Sequence, residues 1–280
     1  MNRATTQPDL ARLRAIRHVA LDMDGTIYCG GQLFAETLPF LETLCSLGIS
    51  HTFLTNNSSK SVAEYLRHLG KLGVAASPDD VFTSTHATIE LLRRTAPHIK
   101  RVFVVGTPGL RGELEAAGFV VLRDDEADAP DAVVVGFDTN LNYHVLCKAA
   151  YWIARGFPFY ATHPDRVCPT DQPTILLDCG AVCAAIESAT GRKPDAVAGK
   201  PEPAMLEALA HRFALKSDEI AMIGDRLYTD VLMAKRAGAV GVLTLTGEAQ
   251  RVDLEESEVQ PDVVVDHLGE LAALLQAARV

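Results

Sequence analysis

Short apolar runs alternate with amphipathic stretches along most of this chain, and that alternation limits the folds open to it. Arg17 to Leu21 and Ile49 to Leu54 are predicted as strands, and Ala35 to Leu47 and Ser61 to Leu72 as helices. The same rhythm resumes near Val102 and continues to a C-terminal helix. Because strand–helix alternation is typical of a parallel sheet covered by helices, we predict an α/β fold.

Composition argues against several classes of function. The chain has 280 residues and a formal net charge of −10, from 26 Lys+Arg against 36 Asp+Glu. Binders of nucleic-acid polymers usually carry a basic stripe, which this sequence lacks, so we expect no such partner. No apolar run approaches the roughly 18 residues that span a membrane, so we expect no membrane partner either.

Cysteine usage and the N-terminal segment bear on the compartment. The 6 cysteines are scattered and form no Cys-x-x-Cys pair, so we expect neither a zinc site nor a redox motif. The segment from Met1 to Arg17 is polar and lacks the apolar core of a signal peptide. We therefore expect reduced thiols and a cytoplasmic protein.

The first predicted strand ends in two carboxylates, Asp22 and Asp24, followed by Gly25. In extended backbone, residues i and i+2 point to the same side, so both acids face one way. Such a pair could hold a divalent cation and supply a nucleophile beside an acid/base. Two other readings are a polar exit from the strand and a calcium loop, although Ile27 and Tyr28 stand where a calcium loop needs further ligands.

Two further strand ends and one loop carry polar residues of the same kind. Thr55-Asn56-Asn57 follows the second strand, and Gly224-Asp225 follows a later one, with Asp230 shortly after. Lys200 stands before a proline at a helix start, where anions are favoured. Taken singly, these are common capping, turn and exposed-loop residues. Ligands bind at the carboxyl ends of strands in open parallel sheets, so neighbouring strands would bring them to one edge.

Taken in order, these elements resemble the four motifs of the haloacid dehalogenase (HAD) superfamily of phosphatases. Cys179-Gly180-Ala181-Val182-Cys183 and the stretch from Gly191 to Pro201 look specifically like its NagD-like branch, as does Ala161 to Asp165, where that branch usually carries Asn in place of His163. The resemblance implies a Rossmann-like parallel sheet core with an inserted α/β cap domain. We expect the core at residues 1–84 and 197–280, and a cap of the C2 type at 85–196.

The resemblance also implies a mechanism. Asp22 would attack phosphorus to form an aspartyl-phosphate, and Asp24 would protonate the leaving oxygen and then activate water. Mg²⁺ would be held by Asp22, the backbone carbonyl of Asp24 and Asp225, with Asp230 orienting the metal waters or Lys200.

The remaining residues would bind the phosphate and the leaving group. Lys200 would supply a positive charge, and the phosphate would also meet Gly25, Thr55, Asn56 and Asn57. Specificity would come from the cap, where the candidates are Asp138, His163, Asp165, Arg166 and Asp178.

The resemblance implies a small phosphorylated metabolite as the partner of this site. Sugar phosphates or nucleoside monophosphates are the expected substrates, and phosphoglycolate, pyridoxal phosphate or p-nitrophenyl phosphate are alternatives. A homodimer through the cap is a further expectation. From a different class, a receiver-like or non-catalytic phospho-binding protein would show some of the same residues.

Overall fold

The computed structural model describes residues 9–123, 128–170 and 173–280. The first eight residues of the predicted first core segment lie outside the described residues, as do 124–127 and 171–172 of the predicted cap. The described chain is an α/β protein built on parallel sheets, which confirms the predicted fold class.

The strands of the described residues are mostly short. In chain order they are β1 (His18–Asp22), β2 (Tyr28–Cys29), β3 (Gln32–Leu33), β4 (Ser50–Thr55), β5 (Val81–Thr83), β6 (Arg101–Val105), β7 (Val120–Val121), β8 (Ala132–Val135), β9 (Phe159–Ala161), β10 (Val167–Cys168), β11 (Leu176–Leu177), β12 (Ala196–Val197), β13 (Ile220–Gly224), β14 (Val240–Thr244) and β15 (Val263–Val265).

Helices occupy most of the intervals between them. They are α1 (Leu10–Ala15), α2 (Thr37–Ser46), α3 (Val62–Lys71), α4 (Ser84–Thr95), α5 (Pro108–Ala116), α6 (Tyr143–Ala154), α7 (Cys179–Thr190), α8 (Ala204–Phe213), α9 (Leu232–Ala237), α10 (Asp253–Glu256) and α11 (Leu268–Ala277). No helix in the described part of the chain combines the length and hydropathy needed to cross a membrane. All six cysteines carry free thiols.

The chain divides into two compact units, the first formed by Met1–Leu54 with Leu206–Val280 and the second by Thr55–Met205. The predicted cap, 85–196, falls inside the second unit, whose boundaries lie at the end of β4 and in the first turn of α8.

In the first unit the sheet runs in the order β15-β14-β13-β1-β4, and these strands are parallel. All five residues of β1 are buried, as expected for an inner strand of a parallel sheet. Leu21 lies beside Phe53 on one neighbour and Ile223 on the other, so the strands on both sides of β1 end at its level. The carboxyl ends of β1, β4 and β13 therefore lie side by side, as the sequence predicts.

The second unit holds its own five-stranded parallel sheet, in the order β12-β9-β8-β6-β7. Successive side chains of β6 point to opposite faces. Phe103 and Val105 pack with apolar residues of α6 and α7, whereas Val102 and Val104 pack with those of α4 and α5. Helices thus cover both faces, which is why β6 is apolar without alternation.

One predicted helix begins later than its sequence suggests. The pattern predicts a helix over Asp230 to Ala237, whereas α9 starts at Leu232 after a π-helical turn over Leu227–Val231. The backbone N–H of Arg226 donates to the Asp230 carboxylate (3.2 Å), which holds this turn. The wider turn is therefore associated with the buried Asp230 side chain, and π-turns of this kind are frequent at functional sites.

Candidate active site

Three buried carboxylates come together at the carboxyl ends of β1 and β13 in the first unit. Asp22 ends β1, Asp225 follows β13, and Asp230 belongs to the π-helical turn. One oxygen from each lies within 4.8 Å of the others, and all three side chains are buried. We call this set the acidic cluster.

The acidic cluster fits a divalent cation by its donor chemistry. Buried carboxylates at this spacing repel one another, so a bound cation would offset a large electrostatic cost. Carboxylate oxygens are the hard ligands that Mg²⁺, Ca²⁺ and Mn²⁺ prefer. Asp230, expected only to orient other groups, thus lies among the carboxylates that could hold the metal.

Two glycines allow the backbone to approach Asp225 closely. A Cβ atom on Gly25 would lie 2.7 Å from the Asp225 Cγ, and one on Gly247 would lie 2.6 Å from it. Gly25 also has φ +85°, a conformation that disfavours any side chain. A larger residue at either position would therefore have to displace the Asp225 carboxylate.

Backbone and hydroxyl groups fix the orientation of two of these acids. The N–H of Glu248 donates to Asp225 Oδ2 (2.7 Å). Asp230 Oδ2 accepts from the Arg226 N–H and from the Thr229 hydroxyl, both at 3.2 Å. These hydrogen bonds hold the carboxylate oxygens in the positions from which they could bind a cation.

Asp24 lies in a tight turn just after β1 and is half-buried. The carbonyl of Met23 accepts from the Ile27 N–H (2.9 Å), and the Gly25 N–H donates to the Tyr28 carbonyl (2.8 Å). Among the described residues, the acidic cluster consists of Asp22, Asp225 and Asp230, and the Asp24 carboxylate is not part of it. Its predicted contribution to the metal is through the backbone carbonyl and stays a prediction.

Arg226 is a charged residue of this site that the sequence analysis missed. Its Nε lies 2.8 Å from Glu248 Oε2. Burial alone would lower the pKa of Arg226, but Tyr228, Glu248, Asp225 and Asp22 raise it above its ordinary value. The guanidinium therefore stays charged beside the acidic cluster. Its position directly after Gly224-Asp225 was the available signal.

In the second unit, Thr55-Asn56-Asn57 forms a hydrogen-bonded turn. The Asn57 N–H donates to Thr55 Oγ1 (3.1 Å), and Asn57 Oδ1 accepts from the Ser59 N–H (2.9 Å) and the Ser59 hydroxyl (2.6 Å). The Asn57 side chain thus shapes the loop, as an Asx turn does. Its predicted phosphate contact is not tested by this geometry.

The Asn56 side chain is clamped to the backbone of Lys200. Its Nδ2 donates to the Lys200 carbonyl (3.0 Å), and its Oδ1 accepts from the Lys200 N–H (2.8 Å). The same Nδ2 donates to Asp165 Oδ2 (3.1 Å). One N–H and the oxygen of this amide therefore fix the Lys200 backbone, and Asp165 takes up the other N–H. Lys200 itself is 3% exposed.

His163 lies between two carboxylates beyond the carboxyl end of β9. Its Nδ1 is 3.5 Å from Asp165 Oδ2, and its Nε2 is 3.4 Å from Asp178 Oδ1. The imidazole is 0% exposed. We call these three residues the histidine clamp. The sequence analysis named each of them but did not foresee that Asp178 meets His163.

The other two cap candidates do not belong to the histidine clamp. The Arg166 side chain is exposed, and its backbone carbonyl accepts from the Asp178 N–H (3.0 Å). Asp138 is half-buried and accepts from the Asn140 N–H (2.9 Å), the geometry of an Asx turn. The predicted site residues thus form separate groups in each unit.

Comparison with known proteins identifies the family. The model of haloacid dehalogenase-like hydrolases matches residues 19–120, and a second HAD-hydrolase-like model matches residues 197–271. Ribonucleotide monophosphatase NagD of Escherichia coli is 34% identical over 257 residues, covering 91% of this chain and 98% of that protein. Acid sugar phosphatase of Staphylococcus aureus is 30% identical over 256 residues, covering 91% and 96%.

A solved structure agrees with the sequence comparisons. The 4-nitrophenylphosphatase of Thermotoga maritima is 43% identical, with a TM-score of 0.87 over 94% of this chain and 98% of that one. The family models match both the segment that carries Asp22 and the segment that carries Lys200 and Asp225. This chain therefore belongs to the haloacid dehalogenase-like hydrolases and, within them, to the NagD-like phosphatases, which hydrolyse phosphoric monoester bonds.

Proposed function

We propose that this phosphatase hydrolyses small phosphate monoesters with Mg²⁺, through an aspartyl-phosphate formed on Asp22. The acidic cluster is the observation that carries the proposal, because it sets a buried carboxylate at a strand end among donors suited to a hard cation. The names of the relatives support sugar phosphates or nucleoside monophosphates as substrates. Phosphoglycolate and pyridoxal phosphate are the alternatives.

Asp22 and Asp24 divide the chemistry between them in this proposal. Asp22 attacks phosphorus, and Asp24 protonates the leaving oxygen and then takes a proton from the hydrolytic water. The tight turn supports this division, because it follows Asp22 directly and leaves Asp24 half-buried. A half-buried carboxyl can exchange protons with water more readily than a fully buried one.

The metal ligands proposed are Asp22, Asp225 and the backbone carbonyl of Asp24. Mg²⁺ bound there would polarise the phosphoryl oxygens and offset the negative charge of nucleophile and ester. Asp230 Oδ2 already accepts two hydrogen bonds, so we assign Asp230 the role of holding the cluster in shape.

Phosphate binding is assigned to Lys200, to Thr55 and to the turn at Gly25. Lys200 supplies a positive charge on a backbone that Asn56 holds on both sides. The Thr55 hydroxyl accepts from Asn57, and its proton remains able to donate to a phosphoryl oxygen. Gly25 contributes by letting the chain pass close to the acids, and Asn56 acts through Lys200.

The loop from His163 to Arg166 is proposed to read the leaving group. The exposed Arg166 side chain could contact the substrate directly, and Asp165 could do so at its partly exposed edge. His163 is fully buried, so its contribution passes through Asp165. We also propose a cytoplasmic location, from the free thiols, and a homodimer through the cap, which light scattering would measure.

The decisive experiment combines one substitution with a substrate panel. Asp22→Asn should lower kcat on p-nitrophenyl phosphate by roughly a thousandfold while leaving the circular dichroism spectrum unchanged, since it removes the nucleophile. Chelation by EDTA should silence the wild-type enzyme and Mg²⁺ should restore it. A folded Asp22→Asn variant with more than a few per cent of the wild-type rate would refute the assignment.

A further inference from the structure

The histidine clamp places one buried imidazole between two carboxylates in the second unit. Each ring nitrogen of His163 faces a different acid, Nδ1 toward Asp165 and Nε2 toward Asp178, at 3.5 and 3.4 Å. A metal ion would bind at one ring nitrogen and leave the other nitrogen facing a carboxylate. A doubly protonated imidazolium instead presents an N–H to both acids at once. The three residues also lie close enough together to hold a metal ion, and the ion-pair distances at both ring nitrogens are the reason to assign a proton to each nitrogen instead.

The groups that face His163 keep it charged. They are Asp165 on its own loop, Asp178 before α7 and Cys179 in the first turn of α7. Burial alone would lower the pKa of His163, but Cys179, Asp165 and Asp178 raise it to about 9. In turn, the imidazolium and the Cys183 side chain lower the pKa of the Cys179 thiol, although burial opposes this.

A continuous line of contacts runs from this imidazolium to Lys200. Asp165 Oδ2 faces His163 Nδ1 and also accepts from Asn56 Nδ2 (3.1 Å). That same amide holds the Lys200 backbone through its carbonyl and its N–H. The Asp165 side chain is only 10% exposed, so its carboxylate is destabilised by losing a cation and would then move or take up a proton. Either change would alter the hydrogen bond that orients Asn56.

Local backbone geometry shows that this arrangement is tightly built. A Cβ atom on Gly199 would lie 2.5 Å from Asn56 Oδ1 and 2.8 Å from the Thr162 carbonyl. A Cβ atom on Gly180 would lie 2.9 Å from the Asp165 carbonyl, which accepts from the Gly180 N–H (2.7 Å). The loop that carries His163 thus packs closely against Gly199, which precedes Lys200, and against Gly180 in the first turn of α7.

We propose that protonated His163 is a positioning residue, which fixes Lys200 for catalysis through Asp165 and Asn56. The inference rests on the proposed role of Lys200 in phosphate binding. His163 touches neither substrate nor metal in this scheme. It acts by neutralising the carboxylates of Asp165 and Asp178, so its protonated form is the active one. Activity should consequently fall as the pH rises through the range in which His163 loses its proton.

The test uses His163→Gln in the full chain, with p-nitrophenyl phosphate and saturating Mg²⁺. Gln is neutral and can reach only one of the two acids, so kcat at pH 7.5 should fall roughly tenfold. In the wild type, kcat should also fall above about pH 9, and the variant should lack that decline. His18→Gln is the matched control, because it removes another fully buried histidine that belongs to the first unit and is not a member of this line of contacts.

A second measurement, made on the wild type, tests the proposal even if the variant does not fold. Nitrogen-15 NMR of the wild-type imidazole should show both ring nitrogens of His163 protonated at pH 7.5, with a titration that coincides with the decline in kcat. A neutral His163 at pH 7.5 would overturn the proposal. So would a folded His163→Gln variant that keeps the wild-type kcat and the alkaline decline. Failure of the proposed function would look different, because the wild type itself would not hydrolyse the ester.

Discussion

Each unit of this protein brings carboxylates together near the carboxyl end of a parallel strand, but the two groups differ in the charge beside them. The acidic cluster brings three carboxylates within 4.8 Å of one another. The histidine clamp sets the imidazole of His163, protonated in our proposal, between two carboxylates. The first arrangement concentrates negative charge in one place, and the second alternates the charges.

The difference suggests that the acidic cluster binds a metal ion, whereas the histidine clamp stabilises the structure around it. Burying like charges together is costly, so such a cluster is poised to take up a cation from solution. A buried acid that already faces a cation gains little from another, and losing that cation costs several kcal/mol. We infer that the acidic cluster serves the metal and the reaction, whereas the histidine clamp keeps the geometry of its loop.

The largest effect that would test this contrast is expected for Asp225→Asn. The substitution removes a charged donor from the proposed metal site, so kcat should fall by about a hundredfold or more. Added Mg²⁺ stabilises the wild type because it binds the folded state, and the variant should lose most of that rise in Tm. Differential scanning fluorimetry across a Mg²⁺ titration measures the rise in Tm of both proteins.

Asp178→Asn is the matched change in the histidine clamp. Asn also caps helices well, so the N-terminus of α7 is preserved while one charge is lost. This variant should keep the full Mg²⁺-dependent rise in Tm from a lower starting value. If Asp178→Asn abolished the Mg²⁺ response and Asp225→Asn did not, the two groups would have been assigned the wrong way round.

A smaller loss is expected for Gly247→Ala. The added Cβ would lie 2.6 Å from the Asp225 Cγ, so the carboxylate must shift. Displacing a ligand by about 1 Å can cost up to a hundredfold in rate, and we expect a loss of roughly ten- to a hundredfold. Gly31→Ala is the control, because nothing lies within 4 Å of a Cβ there. Equal activity of the two variants would show that Asp225 tolerates the displacement.

How much of the fold follows from the sequence depends on the length of each element. The strands predicted over Arg17 to Leu21 and Ile49 to Leu54 are observed one residue later, at His18–Asp22 and Ser50–Thr55, because apolar runs of this length between turns are a clear signal. Strands of two residues, such as Tyr28–Cys29 and Val167–Cys168, are too short for any periodicity to show. Their pairing is set by the turns that join them and by their neighbours.

For the candidate site, the features that depend on a single strand could be predicted from the sequence, whereas contacts between residues far apart in the chain could not. Asp22 and Asp225 were placed correctly at strand ends, because register in a parallel sheet follows from the strands themselves. The clamp of Asn56 on Lys200 joins residues 144 positions apart, and no local pattern predicts it. Asp178 likewise meets His163 only because α7 begins beside the loop after β9.

The fully buried histidines His18 and His163 differ in the same way, and this difference affects how stability depends on pH. Burial, together with His51 and Arg212, lowers the pKa of His18 to about 4. Burial also acts to lower the pKa of His163, but Cys179, Asp165 and Asp178 outweigh it and raise that pKa to about 9. The ordinary value of 6.5 describes both in the unfolded chain. His163 thus adds stability below pH 6.5 that is lost as the pH rises through 9. His18 adds stability above pH 6.5 that is lost as the pH falls toward 4.

The smallest effect that we expect is the acid-side loss due to His18. This side chain stacks on Phe213 (ring centroids 4.2 Å apart), and its Nδ1 lies 2.7 Å from Ser50 Oγ. Between about pH 4 and 6.5 the unfolded chain binds the extra proton, so the free energy of unfolding should fall by about 2 kcal/mol from pH 7.5 to 5 on account of His18.

Carboxyl groups also titrate in this range, so the measurement is the difference in the free energy of unfolding by urea between wild type and His18→Gln at each pH. That difference should shrink as the pH drops, since Gln does not titrate. A difference that stays constant from pH 7.5 to 5 would mean that His18 is not held neutral, and that burial in the first unit does not oppose charge as the contrast requires.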